Sequence, residues 1–156
     1  MKLSDKLIEL KILLPEAPQA VASYVPAKRH GSLVYVSGQL PFLNGDLMAT
    51  GPISDLEGAP LSIVDGQELA KRCFLNALSA ATSVVDIDQI IGVLRIGGWV
   101  TSSHLFSKQA QVINGASLMA EAIFDEAGQH VRAAVGAIVL PLNSPVEVEV
   151  QFIIKD

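Results

Sequence analysis

Basic residues, cysteine and long apolar runs are all scarce in this chain of 156 residues, and each shortage removes a class of function. Lysine and arginine number 11 against 16 aspartates and glutamates, for a net charge of −5. Recognition of a phosphate backbone needs clustered basic side chains. The densest cluster here is Lys28-Arg29-His30, so nucleic acid is not expected as a partner. One cysteine, Cys73, allows neither a disulfide framework nor a multi-thiolate metal site. It falls on the apolar stripe of a helical pattern and is expected in the core. His30, His104 and His130 are isolated and lack ligand spacing, so no metal is expected. No Gly-x-Gly-x-x-Gly opens a helix around Gly92 or Gly97-Gly98, which removes the dinucleotide fingerprint. No window approaches the roughly 18 continuous apolar residues of a membrane span. The early run Ile12-Leu13-Leu14 follows charged residues and stops at Pro15, too short for a signal peptide. A cytoplasmic protein without a membrane partner is the expectation. Internal repeats and low-complexity segments are also lacking.

What is present is apolar: half of the residues are hydrophobic and 17% are charged. A chain of this length is expected to form a single domain, residues 1–156, that buries roughly two-thirds of its unfolded surface. The apolar content exceeds what a monomeric core requires and points to subunit contacts. In chain order, residues 4–12 read as a short helix with Ser4 as cap and Pro15 as stop. Val21–Lys28 reads as an edge strand broken by Pro26, and Leu33–Leu40 as a second strand. Asn44-Gly45-Asp46 is a hairpin signal leading to a short strand over Leu47–Thr50. Gly51–Pro60 is loop. Ser62 and Asp65 form an acidic capping box, and the helix that follows places Leu69, Ala70, Cys73, Phe74, Ala77, Leu78 and Ala81 on one stripe. Ile90–Val100 is a strand. Ser107 is expected to cap a second long helix, with Val112, Ile113, Ala116, Met119, Ala120 and Ile123 inward.

Two closing strands, His130–Pro141 and Val146–Ile154, complete an α+β pattern: a mixed sheet with the two long helices packed on one face. The strands carry apolar residues at both parities, so the second face needs a lid, and another subunit is the available one. If the closing strands pair antiparallel across their short turn, Arg132 and Glu147 stand on the order of 20 Å apart. They can then serve one site only from different chains.

Arg132 shares a strand face with Ala134 and Gly136, small residues beside which a planar guanidinium can take a carboxylate in bidentate fashion. The plainer readings are a solvated arginine at a strand start, or a partner for Glu121 or Glu126. Glu147 can hold a water and exchange protons, or it and Glu149 are simply the exposed parity of an amphipathic strand. Tyr24 can close a pocket or be an edge aromatic. Ser37-Gly38-Gln39 marks either a close ligand approach or a bulge. Asn114-Gly115 is a costly pair inside a helix, from a site or from packing.

Tyr24 in its Ala-Ser-Tyr-Val context, Leu33–Pro41, Val112-Ile113-Asn114-Gly115, Arg132-Ala133-Ala134-Val135, and Leu140-Pro141 followed by Val146-Glu147-Val148-Glu149 together resemble the RidA (YjgF, reactive intermediate deaminase, endoribonuclease L-PSP-like) family, over residues 18–154. The resemblance implies a chorismate-mutase-like fold of six strands and two helices and a homotrimer with clefts between subunits. It implies hydrolysis of imines tautomerised from enamines such as 2-aminoacrylate, releasing ammonia and a 2-keto acid without metal or cofactor. It assigns carboxylate binding to Arg132, water positioning to Glu147, and the pocket to Tyr24, Ser37, Gly38, Asn114 and Ala134. The chain departs from the family at Ala134, where the enzymatic branch often has cysteine, and in extra residues at Gly51–Pro60 and near the N-terminus. These departures leave a second class of function open, a non-catalytic carboxylate-binding or regulatory trimer. Ribonuclease activity, an older reading of such sequences, does not suit the acidic composition.

Overall fold

In the computed structural model, which describes residues 1–16 and 22–155, the sequence periodicities resolve into three α-helices and seven strands. The helices are α1 (Leu3–Glu9), α2 (Ile63–Ala81) and α3 (Gln109–Phe124). The strands are β1 (Ala27–His30), β2 (Leu33–Gln39), β3 (Phe42–Leu43), β4 (Asp46–Leu47), β5 (Ile90–Thr101), β6 (Val131–Ala137) and β7 (Val146–Ile154). None of these helices is long and apolar enough to cross a membrane. The part of the expected first strand at Val21 lies outside the described residues.

The helix starts only partly follow the expected caps. The box before α2 forms as read: Ser62 Oγ accepts from the Asp65 N–H, and the Asp65 carboxylate accepts from the Ser62 N–H at 2.8 Å. Neither Ser4 nor Ser107 caps a helix. Lys2 and Lys108 occupy those positions without a side-chain bond. The start of α1 is instead held by Asp88, which accepts from the Ser4 N–H at 3.0 Å.

Two expectations about the sheet are corrected. The main sheet has five strands, in the order β1-β2-β7-β5-β6, and not six. The hairpin at Asn44-Gly45 forms, with both residues at positive φ (54° and 90°) as a two-residue turn of this hand requires. It closes on itself, however, as a separate two-stranded ribbon, because the Met48 N–H turns back to the Pro41 carbonyl at 3.1 Å. The closing strands are also not neighbours. After α3 crosses over, β6 pairs parallel with one edge of β5, and β7 pairs antiparallel with the other edge and with β2.

Among the described residues, the sheet is packed on one face only. β7 alternates strictly, with Val146, Val148, Val150, Phe152 and Ile154 buried beneath the helices and the residues between them half-buried. Tyr35, Val131 and Val135 lie exposed on the opposite side. The helices approach each other and the sheet closely because small residues permit it. A side chain at Gly66 would meet Val112, one at Gly98 would meet Ile113, and one at Gly115 would collide with the Gln67 carbonyl. Gly115 is therefore explained by helix packing. The Gly51–Pro60 loop clasps the end of β5: Ile53 is buried, donates its N–H to the Thr101 carbonyl at 2.8 Å, and lies beside the Asp55–Lys108 ion pair.

Glycine to alanine within a helix ordinarily stabilises by up to about 1 kcal/mol. For Gly115→Ala the collision with Gln67 should reverse the sign and cost about 1–3 kcal/mol, read as a lower urea midpoint. A higher midpoint would mean that the α2–α3 contact is not tight.

Candidate functional site

Pairing between β2 and β7 shifts register between Val36 and Gln39, and this bulge shapes the site. Ser37 Oγ donates to the Pro26 carbonyl at 3.1 Å, and Gln39 Nε2 donates to the Ser37 carbonyl at 3.1 Å, so the bulge is locked from both sides. Gly38 sits where the Glu147 side chain crosses: a Cβ there would occupy the space of the carboxylate. The glycine is needed to seat the glutamate.

The bulge opens into a cleft of about 890 Å³ that Tyr24, Ser37, Gly38 and Glu147 help to line. Its wall includes the β3–β4 ribbon, tied down by α2. Asn76 Nδ2 donates to the carbonyls of Leu40 and Phe42 at 2.9 and 3.1 Å, and Arg72 Nε donates to Phe42 at 2.8 Å. Neither residue was singled out from the sequence. The available signal was a polar pair at i and i+4, set among Cys73, Phe74, Leu75 and Ala77, with Asn76 on the buried side of the helix. No residue of the Gly51–Pro60 loop lines this cleft.

The two glutamates of β7 are in different states. Glu149 receives Arg95 Nη1 at 2.6 Å across the gap that Gly97 leaves on β5. Glu147 accepts no hydrogen bond from a described residue, and burial, followed by the charge of Glu149, pushes its carboxyl above the ordinary range. A carboxyl so placed binds a proton more tightly than an ordinary glutamate, which suits proton exchange. Cys73 lies in the core, its thiol pushed well up by burial and then by Glu147, so it is not a nucleophile.

Arg132 is elsewhere. It is the β6 partner of Ile96, on the helix side of the sheet, and its guanidinium lies along α3. Nη1 donates to Asn114 Oδ1 at 2.8 Å and Ser117 Oγ at 3.0 Å, and Nη2 to the Ala110 carbonyl at 3.3 Å. Behind Ser117 stands His130, with Nε2 2.9 Å from Ser117 Oγ and Nδ1 2.6 Å from the Gly128 carbonyl. A carbonyl only accepts, so Nδ1 carries the proton, and Ser117 can donate to Nε2 while offering a lone pair to Arg132. Arg132 itself is exposed and forms no ion pair with a described residue, Glu121 and Glu126 included. The small floor beside it is partly filled: Ala134 packs against the core and Gly136 faces Gln109.

The predicted site residues thus fall into two groups. Tyr24, Ser37, Gly38 and Glu147 meet in the cleft, while Arg132, Asn114 and Ala134 meet where α3 crosses β6. Arg132 aligns with Ile96 and Glu147 with Trp99, three positions along β5, so their Cα atoms stand about 14 Å apart in the sheet plane. Their side chains leave opposite faces, and Arg132 does not line the cleft. The separation is shorter than the antiparallel-pair reading gave, and the face reversal keeps them from one pocket.

Residues 4–152 match the family model described as "YjgF/chorismate_mutase-like, putative endoribonuclease". The Trypanosoma cruzi protein TCP17 is 35% identical over 150 residues, covering 95% of this chain and 91% of its own. Among solved structures, the Agrobacterium tumefaciens protein Atu1372, of unknown function, is 37% identical with a TM-score of 0.84, covering 98% of this chain and 92% of its own. A Shewanella oneidensis protein carrying the same endoribonuclease description is 27% identical with a TM-score of 0.89, covering 99% of this chain and 100% of its own.

The state of Glu147 has a pH signature. Its folded value lies above its unfolded value, so the native state binds the proton more tightly, and stability falls as pH rises from the ordinary glutamate range through the raised one. Glu147→Gln removes that loss. It should raise Tm slightly at pH 7, by under about 1 kcal/mol for a partly exposed group, with the advantage vanishing near pH 4. An advantage that grows toward acid pH would contradict the assignment.

Proposed function

The chain belongs to the YjgF/chorismate mutase-like family, and from that premise we propose that it hydrolyses reactive enamine/imine intermediates, 2-aminoacrylate-like in chemistry, at clefts between the subunits of a homotrimer. The observation that carries this reading is the unpartnered, partly buried Glu147 carboxyl in a cleft that Arg132 of its own chain cannot enter. A neighbouring subunit supplies the arginine. The bare sheet face supports such an assembly, as does the apolar edge at β6, where Val131, Val135, Ile138 and Val139 are exposed and the outer side of the strand pairs with no described strand.

In this reading the substrate carboxylate meets Arg132, which Asn114, Ser117 and the Ala110 carbonyl hold in one orientation. Glu147 first exchanges a proton with the enamine, carbon gaining what nitrogen loses, to give the imine. It then takes a proton from water as the oxygen bonds to the imine carbon, and returns that proton to nitrogen. The carbinolamine hydroxyl proton then passes to nitrogen as the carbon–nitrogen bond breaks, forming the keto group and releasing ammonia. A protonated imine is electrophilic enough for direct attack by water. Tyr24 and the Ser37-Gly38 backbone shape the pocket. The endoribonuclease description of relatives suits this cleft less well, since Arg72 is the one cation among its described lining residues.

Arg132→Ala should lower imine hydrolysis at least about a hundredfold, the scale of a lost charge-assisted bidentate contact in a closed site, with circular dichroism and assembly state unchanged. Imines generated in situ by an amino-acid oxidase and followed by ammonia release make the assay. Unchanged turnover in Arg132→Ala defeats the proposal, and carboxylate binding without turnover in the wild type favours a binding or regulatory trimer instead.

A further inference from the structure

We propose that Arg72 is a second anion clamp in the cleft, so that the preferred substrate is the imine of an amino diacid, its side-chain carboxylate held by Arg72. This inference rests on the imine-hydrolase reading above. Helix α2 turns Arg72 and Asn76, one turn apart, toward the same cleft wall. The Asn76 amide is engaged, with Nδ2 bridging the carbonyls of Leu40 and Phe42. Arg72 is engaged only through Nε, which donates to Phe42 at 2.8 Å. That bond fixes the plane of the guanidinium while leaving the two terminal nitrogens without a hydrogen bond to a described residue.

No carboxylate of a described residue lies in ion-pair range of Arg72. Glu147 shares the cleft but does not consume the charge: its carboxyl is pushed up by burial and Glu149, and is not drawn down by Arg72. A half-buried guanidinium without a counter-charge is a preorganised acceptor for an anion. The count of charges selects the anion. The lining carries a single cation beside two carboxylates, Glu16 and Glu147, which suits one singly charged carboxylate at Arg72 better than a phosphate dianion. With the reacting-end carboxylate on Arg132 of the neighbouring subunit, the two guanidiniums bracket a substrate acidic at both ends.

The test compares imines made in situ by flavin oxidases from glutamate and from norvaline, which share chain length and differ in the terminal carboxylate. Wild type should favour the glutamate-derived imine in kcat/KM by about tenfold or more. Arg72→Gln should erase that ratio and Arg72→Lys restore part of it. The ratio is the readout because general loss of folding lowers both substrates together. A wild type without preference, or a ratio unmoved in Arg72→Gln, overturns the clamp. If neither imine is turned over, the hydrolase reading fails while the clamp stays testable by calorimetry with 2-oxoglutarate against 2-oxopentanoate. Tighter diacid binding that is lost in Arg72→Gln supports it, and equal binding overturns it.

Discussion

The burial of a five-stranded sheet on one face only is the constraint from which the rest of this molecule follows. Helices α2 and α3 cover the side lined by Val148, Val150 and Phe152, and they come close enough to do so because Gly66, Gly98 and Gly115 carry no side chains. Once α3 is seated, Asn114 and Ser117 stand beside β6, and the Arg132 guanidinium has a fixed place along the helix. The same packing turns Glu147, Glu149 and Arg95 to the uncovered side, where Arg95 and Glu149 neutralise each other.

Local irregularity then makes the site. The β2–β7 register shift produces a bulge, the bulge places Gly38 under Glu147, and the glutamate projects into a cleft where its proton is held more tightly than usual. Any side chain at position 38 would lie where the carboxylate is. The candidate site thus lies at the point where the ladder breaks, as is common for bulges near functional sites.

Much of this was legible in the sequence, and the failures are instructive. The stripe from Leu69 to Ala81, the Ser62/Asp65 box, the Asn44-Gly45 turn and the alternation of Val146–Val150 are local patterns, and each formed as read. Strand order was not legible in the same way, since it depends on which long-range pairing buries most surface. A short link made β6 and β7 look like a hairpin, yet β5 inserts between them. Gly38 and Gly115 could be flagged as unusual without saying why. One seats Glu147 and the other admits the Gln67 carbonyl, and both reasons lie far away in sequence. Arg72 and Asn76 were hidden inside an apolar helix whose periodicity drew attention to its other residues.

Because Arg132 and Glu147 leave opposite faces of the sheet, the proposed hydrolysis needs both residues from different subunits, and complementation between variants tests that most directly. Arg132→Ala and Glu147→Gln, each inactive alone, are mixed, dissociated and reassembled. In a cyclic assembly with one arginine and one glutamate from different subunits, random mixing restores an intact site at about a quarter of the clefts. Recovery of imine hydrolysis near that fraction of the wild-type rate is the predicted result. Mixed assemblies as inactive as either parent would show that both residues must come from the same chain, and would contradict a cleft shared between subunits.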